Sequence, residues 1–313
     1  MAVTKPAGYK LATYKSGEGP RAGLVIGEDV FDAAKLTGKP AYATVMGILA
    51  DWKSAEGTLK KAAAGATKAR AKRQPLKKTK LLAPVPFPSA IYCAGANYAD
   101  HAAAMAAREG NPPPPDPHEQ GQKPFHFLKA SRTIADPGAT IKISGYAKAM
   151  DWEIELAAVI GRPAKDVPKE QALAYVAGYM ASNDLSARDR GRRPGVSDTS
   201  PFKMDWTKHK TFEGSCPIGP WIVPVSDIAD PQNLGLKLWV NGALKQDSNT
   251  GKMLFTLAEQ IEHLSINMTL HPGDLILTGT PSGTGAESGN FLKAGDVVKI
   301  WIENIGEIEN RMA

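Results

Sequence analysis

The sequence predicts an α+β protein that is mainly β, with a small N-terminal α/β domain over residues 1–82 and a mixed β-sandwich roll over residues 83–313. Short apolar segments in the C-terminal portion are separated by turn signals about every 8 to 12 residues, which is typical of a sandwich or barrel-like roll. Within residues 151–161, carboxylates and apolar side chains first alternate, as in a half-buried strand, and an apolar run follows. Residues 81–88 hold three prolines, so this segment is expected to be extended and to mark the domain boundary.

Composition excludes several classes of protein. Of the 313 residues, 42% are hydrophobic and 22% are charged, as in an ordinary soluble globular protein. The apolar runs fall well short of the ~20 residues that a membrane-spanning helix needs, and residues 1–6 lack the apolar segment of a secretory signal. Cys93 and Cys216 do not make a disulfide framework. We therefore expect a cytoplasmic protein with no membrane partner.

The excess positive charge is clustered. The formal net charge is +6, and residues 60–80 contain nine Lys or Arg and no acid. This segment is either a patch for an acidic partner or, as is commoner for such runs, a solvated helix or connector. Because no nucleic-acid-binding motif accompanies it, we expect no nucleic-acid partner.

The N-terminal domain begins with segments of strand character. Residues 9–14 alternate, and residues 22–27 and 30–32 predict two strands joined by a turn at residues 28–29. Residues 41–65 have mostly helical character and lead into the basic segment.

The first candidate catalytic residue follows a predicted buried strand at residues 91–95. Asp100 is expected near the N-terminus of a helix over residues 101–109, with His101 in its first turn. The helix dipole there disfavours the imidazolium, and a general base requires a neutral imidazole. A lone histidine is nevertheless more often structural.

Residues 110–117 hold five prolines and cannot be a helix or an interior strand. They form either a lid over a site or a stiff surface loop. Residues 124–129 then predict a strand, and residues 132–143 predict a hairpin-type reversal.

Carboxylates recur on one face of the strand predicted at residues 151–161. Glu153 and Glu155 project to the same side, with Asp151 two positions before them, while Ile154 faces a core. Like charges on one face repel unless a positive charge lies between them, and a hard divalent cation with oxygen ligands meets that need. An isolated Glu-x-Glu pair is more often a solvated strand face, so the metal hypothesis depends on the residues that accompany it.

A second apolar strand ends at Asp184. Residues 185–189 are expected to start a helical turn that places Arg188 on the same side as Asp184, and by itself this pair is better explained as an ion pair. Further along, the rigid Pro-x-Gly-Pro segment at residues 217–220 fixes the backbone around Lys210.

The C-terminal portion supplies a glycine-rich loop. Residues 278–285, Thr-Gly-Thr-Pro-Ser-Gly-Thr-Gly, let backbone amides and hydroxyls approach a small anion closely. The loop does not fit the Walker pattern, which ends in Gly-Lys-Ser/Thr. The other elements expected here are strands at 236–240, 243–246, 275–278 and 297–303, a helix at 253–264, and turns at 241–242, 272–274 and 294–296.

In this order the segments resemble the fumarylacetoacetate hydrolase family, in its bacterial branch that acts on oxo-acids. The resemblance covers about residues 85–310. The predicted N-terminal domain resembles, less specifically, the variable domain that often precedes the catalytic domain in this family. The matching segments are residues 95–101, 127–129, 153–156 and 183–189, Lys210 with 216–220, then 241–242, 272–274 and 278–283.

The resemblance implies a β-roll whose centre binds one Mg²⁺, Mn²⁺ or Ca²⁺ through Glu153, Glu155 and Asp184. A 2-oxo acid would chelate the cation, which would stabilise the enolate formed when a neighbouring C–C bond breaks or a proton leaves. The catalytic residues implied are His101, as the base, and Lys210, for electrostatic stabilisation; those implied to bind the substrate are Arg188, Thr280, Tyr98 and Gly279. The family also implies a homodimer.

Two departures from the family pattern bear on the reaction. Hydrolytic and decarboxylating members usually carry Glu three residues after the His, where this chain has Ala104, and often Gln seven residues after the metal-binding Asp, where it has Gly191. Either Glu109 or Glu119 in the proline-rich segment supplies the missing acid, or water is not activated in the usual way.

Three functions follow as hypotheses. The first is metal-dependent hydrolysis of a C–C bond in an acylpyruvate-type 2-oxo acid, as in aromatic or amino-acid catabolism, with isomerisation or decarboxylation of an unsaturated oxo-diacid as the alternative. The second is a non-catalytic binder of metal and carboxylate, for which Ala104 is the best support. The third is a basic interaction protein that uses residues 60–80.

Overall fold

The computed structural model describes residues 7–66, 71–143 and 145–313. Residues 1–6, in which no secretory signal was expected, and residues 67–70 of the basic segment lie outside the described residues.

Strands dominate the chain, and most of the helices are short. The strands are β1 (Lys10–Ser16), β2 (Gly19–Ile26), β3 (Asp29–Asp32), β4 (Arg73–Pro75), β5 (Leu81–Leu82), β6 (Ile91–Ala94), β7 (His126–Lys129), β8 (Ile134–Ala135), β9 (Thr140–Ile141), β10 (Met150–Asp151), β11 (Ile154–Ile160), β12 (Val176–Asn183), β13 (Ser186–Ala187), β14 (Cys216–Pro224), β15 (Gly235–Val240), β16 (Ala243–Asn249), β17 (Leu275–Leu277), β18 (Val297–Ile302) and β19 (Gly306–Met312). The helices are α1 (Ala33–Thr37), α2 (Val45–Ala50), α3 (Trp52–Gly65), α4 (Ala99–Arg108), α5 (Lys169–Ala172), α6 (Arg188–Gly191), α7 (Trp206–Lys210), α8 (Leu257–Asn267) and α9 (Gly285–Ser288). The predicted fold class, mainly β with mixed sheets, is confirmed.

Two sheets form the framework. The larger runs in the order β4-β3-β2-β1-β14-β12-β11-β17-β6-β7, with β5 beside β1 and β8 beside β14. The smaller runs β16-β15-β18-β19-β9, and β10 pairs with β13 separately. β1 pairs with β14 through Leu11 and Ile222, so the strands of the predicted N-terminal domain extend the larger sheet.

The alternation of strand β11 explains how the two sides of the large sheet are filled. Leu156 and Ala158 belong to a core that lies between the sheets and includes Leu238 and Ile300. Ala157 and Val159 face the other way, into a second core that includes side chains of α2 and α3. Because successive residues of a strand alternate in direction, Glu155 shares the face of Ala157 rather than that of the inter-sheet core.

Several predicted elements are confirmed with shifted ends. The predicted helix at 253–264 is α8, which begins later because Thr256 caps it reciprocally with Glu259. The predicted turn at Asn241 and Gly242 joins β15 to β16, and both residues have positive φ angles of 51° and 79°. A type I′ hairpin turn needs this conformation at both central positions.

Two local predictions are wrong. Residues 132–143 do not form a hairpin: β8 pairs in parallel with β14, and β9 pairs in parallel with β19, so long-range partners satisfy both segments. Residues 185–189 do not start a helical turn after Asp184, because Ser186 and Ala187 pair with β10 and helix α6 begins only at Arg188.

In the described ranges, no helix combines the length and the apolar character needed to cross a membrane.

Candidate metal and catalytic site

Three carboxylates meet where strands β11 and β12 lie side by side. Glu153 and Glu155 flank Ile154, which pairs with Asn183, the residue before Asp184. The backbone N–H of Asp184 donates to the carbonyl of Glu153 at 2.8 Å, which fixes this register. One oxygen from each of Glu153, Glu155 and Asp184 lies within 4.8 Å of the others, and all three residues are buried. The structure therefore brings together the predicted metal ligands.

Lys210 lies in the middle of this cluster, which we call the carboxylate triad (Glu153, Glu155 and Asp184). Its Nζ donates to Glu153 Oε2 and to Asp184 Oδ2, both at 2.6 Å. Burial opposes its charge, but Asp184 and Glu153 outweigh burial and raise the pKa of the Lys210 ammonium. The contacts of Lys210 here are with the triad, and its predicted role toward a substrate stays a prediction.

Arg188 contacts different carboxylates from the one predicted. Its Nη2 donates to Glu153 Oε1 at 2.5 Å and its Nε donates to Asp151 Oδ2 at 2.8 Å, whereas the predicted partner was Asp184. Asp184 is instead paired with Lys129, whose Nζ donates to Asp184 Oδ1 at 2.6 Å. The cause is the missing helical turn, since Arg188 reaches the site from the start of α6 rather than from one turn after Asp184.

The surroundings of Glu153 and Glu155 shift the pKa values of the two carboxyls in opposite directions, although both residues belong to the same segment. Burial disfavours the charge of Glu153, but Lys210 and Arg188 outweigh it and hold the pKa of that carboxyl well below its usual range. Burial, with Asp184 and Glu153 nearby, raises the pKa of Glu155 well above its usual range. The hydrogen bond to Glu155 Oε2 comes from the backbone N–H of Gly279 at 2.8 Å. An added cation would therefore favour the anionic form of Glu155.

His101 lies in the first turn of α4 and is held by a carboxylate. Its Nδ1 is 2.6 Å from Glu287 Oε1, and the side chains of the two residues are only 11% and 14% exposed. Glu287 is itself fixed, because its Oε2 accepts the N–H of Gly283 at 2.7 Å. The helix that carries Glu287 is tied to the triad through Asp151, which accepts the N–H groups of Gly285 and Ala286 and contacts Arg188, the partner of Glu153. A base candidate and the triad thus share one site.

The acid that contacts His101 is Glu287, and not Glu109 or Glu119, which the sequence suggested as substitutes for the acid missing at Ala104. Both residues suggested from the sequence are exposed in or beside the proline-rich segment. Glu287 arrives from α9, 186 residues after His101. In the sequence, Thr284 followed three residues later by Glu287 is the pattern of a helix start. This local pattern already accounts for Glu287, and it does not indicate a contact with His101.

The glycine-rich loop forms another wall of the site. Gly279 has a φ of +96°, and a Cβ there would lie 2.8 Å from Asn97 Cβ, so a side chain does not fit. Asn97 holds this loop by donating to the carbonyl of Thr278 at 2.8 Å. Thr280 is buried, and its Oγ1 accepts from Gln246 at 2.9 Å.

Tyr98 is fully buried at the start of α4. Its hydroxyl has no hydrogen-bond partner among the described residues. Burial, followed by the charges of Glu155 and Asp100, raises the pKa of this hydroxyl well above its usual range. The predicted contacts of Tyr98, Thr280 and Gly279 with a substrate stay predictions.

The donor set fits a hard divalent cation. Carboxylate oxygens suit Mg²⁺, Mn²⁺ and Ca²⁺ alike, so the choice of ion is open. A cation here would replace contacts that Lys210 now makes with Glu153 and Asp184, and it would be held by those two residues and Glu155.

Comparison with known proteins decides the family. Residues 90–313 match the model of the fumarylacetoacetate (FAA) hydrolase C-terminal domain. The chain belongs to the fumarylacetoacetate hydrolase family. The resemblance found in the sequence is therefore confirmed.

Relatives of this family member differ in the reactions that their names give. The chain is 40% identical over 232 residues to the mitochondrial oxaloacetate tautomerase fahd2 of Xenopus laevis, which covers 74% of this chain and 67% of that protein. The structure of 2-hydroxyhepta-2,4-diene-1,7-dioate isomerase from Mycobacterium marinum has a TM-score of 0.71 at 32% identity, covering 97% of this chain and 98% of that one. Maleylpyruvate hydrolase from Sphingobium sp. SYK-6, solved with manganese(II) and pyruvate, has a TM-score of 0.73 at 28% identity, covering 97% and 98%.

Proposed function

We propose that this member of the family is a divalent-metal-dependent enzyme that converts a 2-oxo diacid through its enolate, by keto–enol tautomerisation or double-bond isomerisation. The observation that carries the proposal is the convergence of the carboxylate triad with a histidine held by Glu287. Both reactions require a proton to leave one atom and return to another. They therefore need one positioned base and a stabilised enolate.

The roles of the side chains follow from their contacts. His101 binds Glu287 through Nδ1, which leaves Nε2 to take the proton from the carbon beside the keto group and to return it. The Glu287 carboxylate holds the Nδ1–H tautomer and stabilises the imidazolium that forms during the transfer. A bound divalent cation would supply Lewis-acid stabilisation of the developing negative charge.

Lys210 would balance charge as the enolate forms. Its ammonium is buried and charged, and it is linked to two of the three proposed ligands. An ammonium in a site from which water is excluded stabilises an oxyanion far more than one in water does.

Hydrolysis of a C–C bond, the reaction expected first from the sequence, is the second candidate. It is favoured by the pairing of His101 with Glu287, because Glu287 would orient a water molecule in place of the acid that is missing at Ala104. Tautomerisation or isomerisation is placed first because relatives at about 40% identity are oxaloacetate tautomerases, whereas the hydrolase structure is 28% identical.

The two reactions are distinguished by following oxaloacetate, an unsaturated oxo-diacid and an acylpyruvate in D₂O by NMR, with Mn²⁺ and with EDTA. Tautomerisation or isomerisation predicts enzyme-dependent deuterium exchange or bond migration without cleavage, and hydrolysis predicts two acid products. Both should be lost with EDTA and in His101→Ala, and retained in Glu109→Gln, which alters an exposed acid near the same helix. Activity that persists in EDTA-treated protein or in His101→Ala would contradict the proposal.

A further inference from the structure

Lys129 is a buried cation of this site to which the sequence assigned no role. It is the last residue of β7, its side chain is 0% exposed, and its Nζ lies 2.6 Å from Asp184 Oδ1. The same Nζ donates to the carbonyl of Leu185 at 3.3 Å. Lys129 is therefore enclosed, with its charge directed at one proposed metal ligand.

The position of Lys129 is fixed by its strand. Residue 129 pairs with Ile91 of β6, so its backbone belongs to the large sheet. A fully buried lysine has no route to solvent without local unfolding, and an ammonium without acceptors in the interior is costly. Its charge thus stays beside Asp184 whatever else enters the site.

Most of the triad's negative charge is already neutralised. Lys129 contacts Asp184, Lys210 contacts both Asp184 and Glu153, and Arg188 contacts Glu153. A carboxylate cluster binds a divalent cation through its net negative charge, and each cation left in place weakens that attraction. Lys210 is near the centre, whereas Lys129 lies on the outer oxygen of Asp184.

We propose that Lys129 keeps the affinity of the bare carboxylate triad for a divalent cation low, so that firm metal binding requires the negative charge of the 2-oxo acid. This inference rests on the proposed function. The substrate would contribute its carboxylate and keto oxygens together, and an anion that chelates through two oxygens would fit best. Metal and substrate would then bind as a pair, and the resting site would hold the cation weakly.

The size of the effect follows from electrostatics. Repulsion between a unit positive charge and a divalent cation roughly 6 Å away lowers the affinity for that cation about tenfold even with the screening of water. The reduction is larger in a buried site. Replacing Lys129 by a neutral side chain should therefore tighten the binding of Mn²⁺ alone by about tenfold or more.

The test is calorimetric titration of the full chain with Mn²⁺, alone and with saturating oxalate as an inert anionic chelator. The variants are Lys129→Met and Lys129→Gln, which remove the charge, with Lys129→Arg as the matched control that keeps it. We expect oxalate to tighten Mn²⁺ binding to the wild-type chain by at least about tenfold. In the two neutral variants Mn²⁺ alone should bind about tenfold more tightly and the gain from oxalate should shrink, while Lys129→Arg should resemble wild type.

Two results would overturn the inference. One is that folded neutral variants, checked by a cooperative thermal transition, bind Mn²⁺ no more tightly than wild type. The other is that oxalate leaves Mn²⁺ affinity of the wild-type chain unchanged, a measurement that needs no variant to fold. If the wild-type chain binds no Mn²⁺ under either condition, the proposed function fails as well, whereas stoichiometric binding without these effects removes only the role of Lys129.

Discussion

Replacing Glu287 by glutamine tests how the proposed base is held. The introduced side chain has nearly the same shape, but it carries one oxygen and one NH₂ group in place of two oxygens. Glu287 now accepts from His101 on one oxygen and from the N–H of Gly283 on the other, at 2.6 and 2.7 Å. The single oxygen of a glutamine can replace only one of these two acceptors. Either His101 or the N–H of Gly283 therefore loses its hydrogen-bond acceptor.

The magnitude follows from the charge and burial of this contact. A hydrogen bond to a charged group contributes about 1.5–3 kcal/mol, and both side chains here are less than 15% exposed, so solvent screening is small. At about 1.4 kcal/mol per factor of ten, kcat should fall about 10- to 100-fold in Glu287→Gln. Because Glu287 is not a member of the carboxylate triad, the affinity for Mn²⁺ should stay within about twofold.

The assay is steady-state turnover of the best substrate found in D₂O screening, combined with Mn²⁺ titration of the same protein preparation. Glu109→Gln serves as a control, because that acid is exposed and follows the end of α4. A Glu287→Gln enzyme with unchanged kcat would show that the contact with His101 plays no part in the reaction. Loss of Mn²⁺ binding together with kcat would place Glu287 in the metal site instead.

Three further predictions concern binding and stability. Glu155→Gln should abolish the stoichiometric binding of Mn²⁺ that calorimetry detects in the presence of oxalate. The melting temperature should change by only a few degrees, because a neutral amide still accepts the loop N–H; retained binding would exclude this ligand. His209 is buried with its pKa lowered to about 3, chiefly by burial and then by nearby Lys210, so it binds fewer protons than in the unfolded chain, where its pKa is about 6.5. The contribution of neutral His209 to the free energy of unfolding is complete above about pH 6.5 and falls by about 3 kcal/mol as the pH is lowered to about 4. The free energy of unfolding measured by chemical denaturation should therefore decrease more steeply with falling pH in the wild type than in His209→Gln. Equal slopes would contradict this prediction. Gly283→Ala should lower the free energy of unfolding by more than about 2 kcal/mol, since φ is +100° and a Cβ would lie 2.1 Å from the carbonyl oxygen of residue 245. Gly289→Ala is the control, because its φ is +72° but a Cβ there meets open space, and it should cost about 1 kcal/mol. Equal costs in thermal unfolding would refute the clash.

Local patterns in the sequence predicted the fold class and placed the carboxylates on their strands, whereas the resemblance to the family implied that Glu153, Glu155 and Asp184 bind a metal. Alternation along β11 places Glu153 and Glu155 on one face, and an apolar strand delivers Asp184 at its end. Antiparallel pairing of neighbouring strands then brings the three carboxylates together with little help from distant parts of the chain.

The parts that sequence reasoning missed are contacts between distant segments. Glu287 meets His101 across 186 residues, and Lys129 meets Asp184 across 55. No periodicity links such positions, and a search restricted to the neighbourhood of Ala104 leads to exposed acids. The predicted partner of Arg188 was also wrong because of a contact between distant segments. Ser186 pairs with β10, and this pairing replaces the helical turn that local spacing had suggested.

Anomalous diffraction from crystals grown with Mn²⁺ and oxalate would examine the metal centre without relying on turnover. A single strong peak should lie in contact with one oxygen each of Glu153, Glu155 and Asp184, with the Lys210 ammonium displaced from its present contacts. A peak bound elsewhere, or an empty triad in a protein that turns over substrate under the same conditions, would contradict the assignment of this family member as a carboxylate-bound metal enzyme.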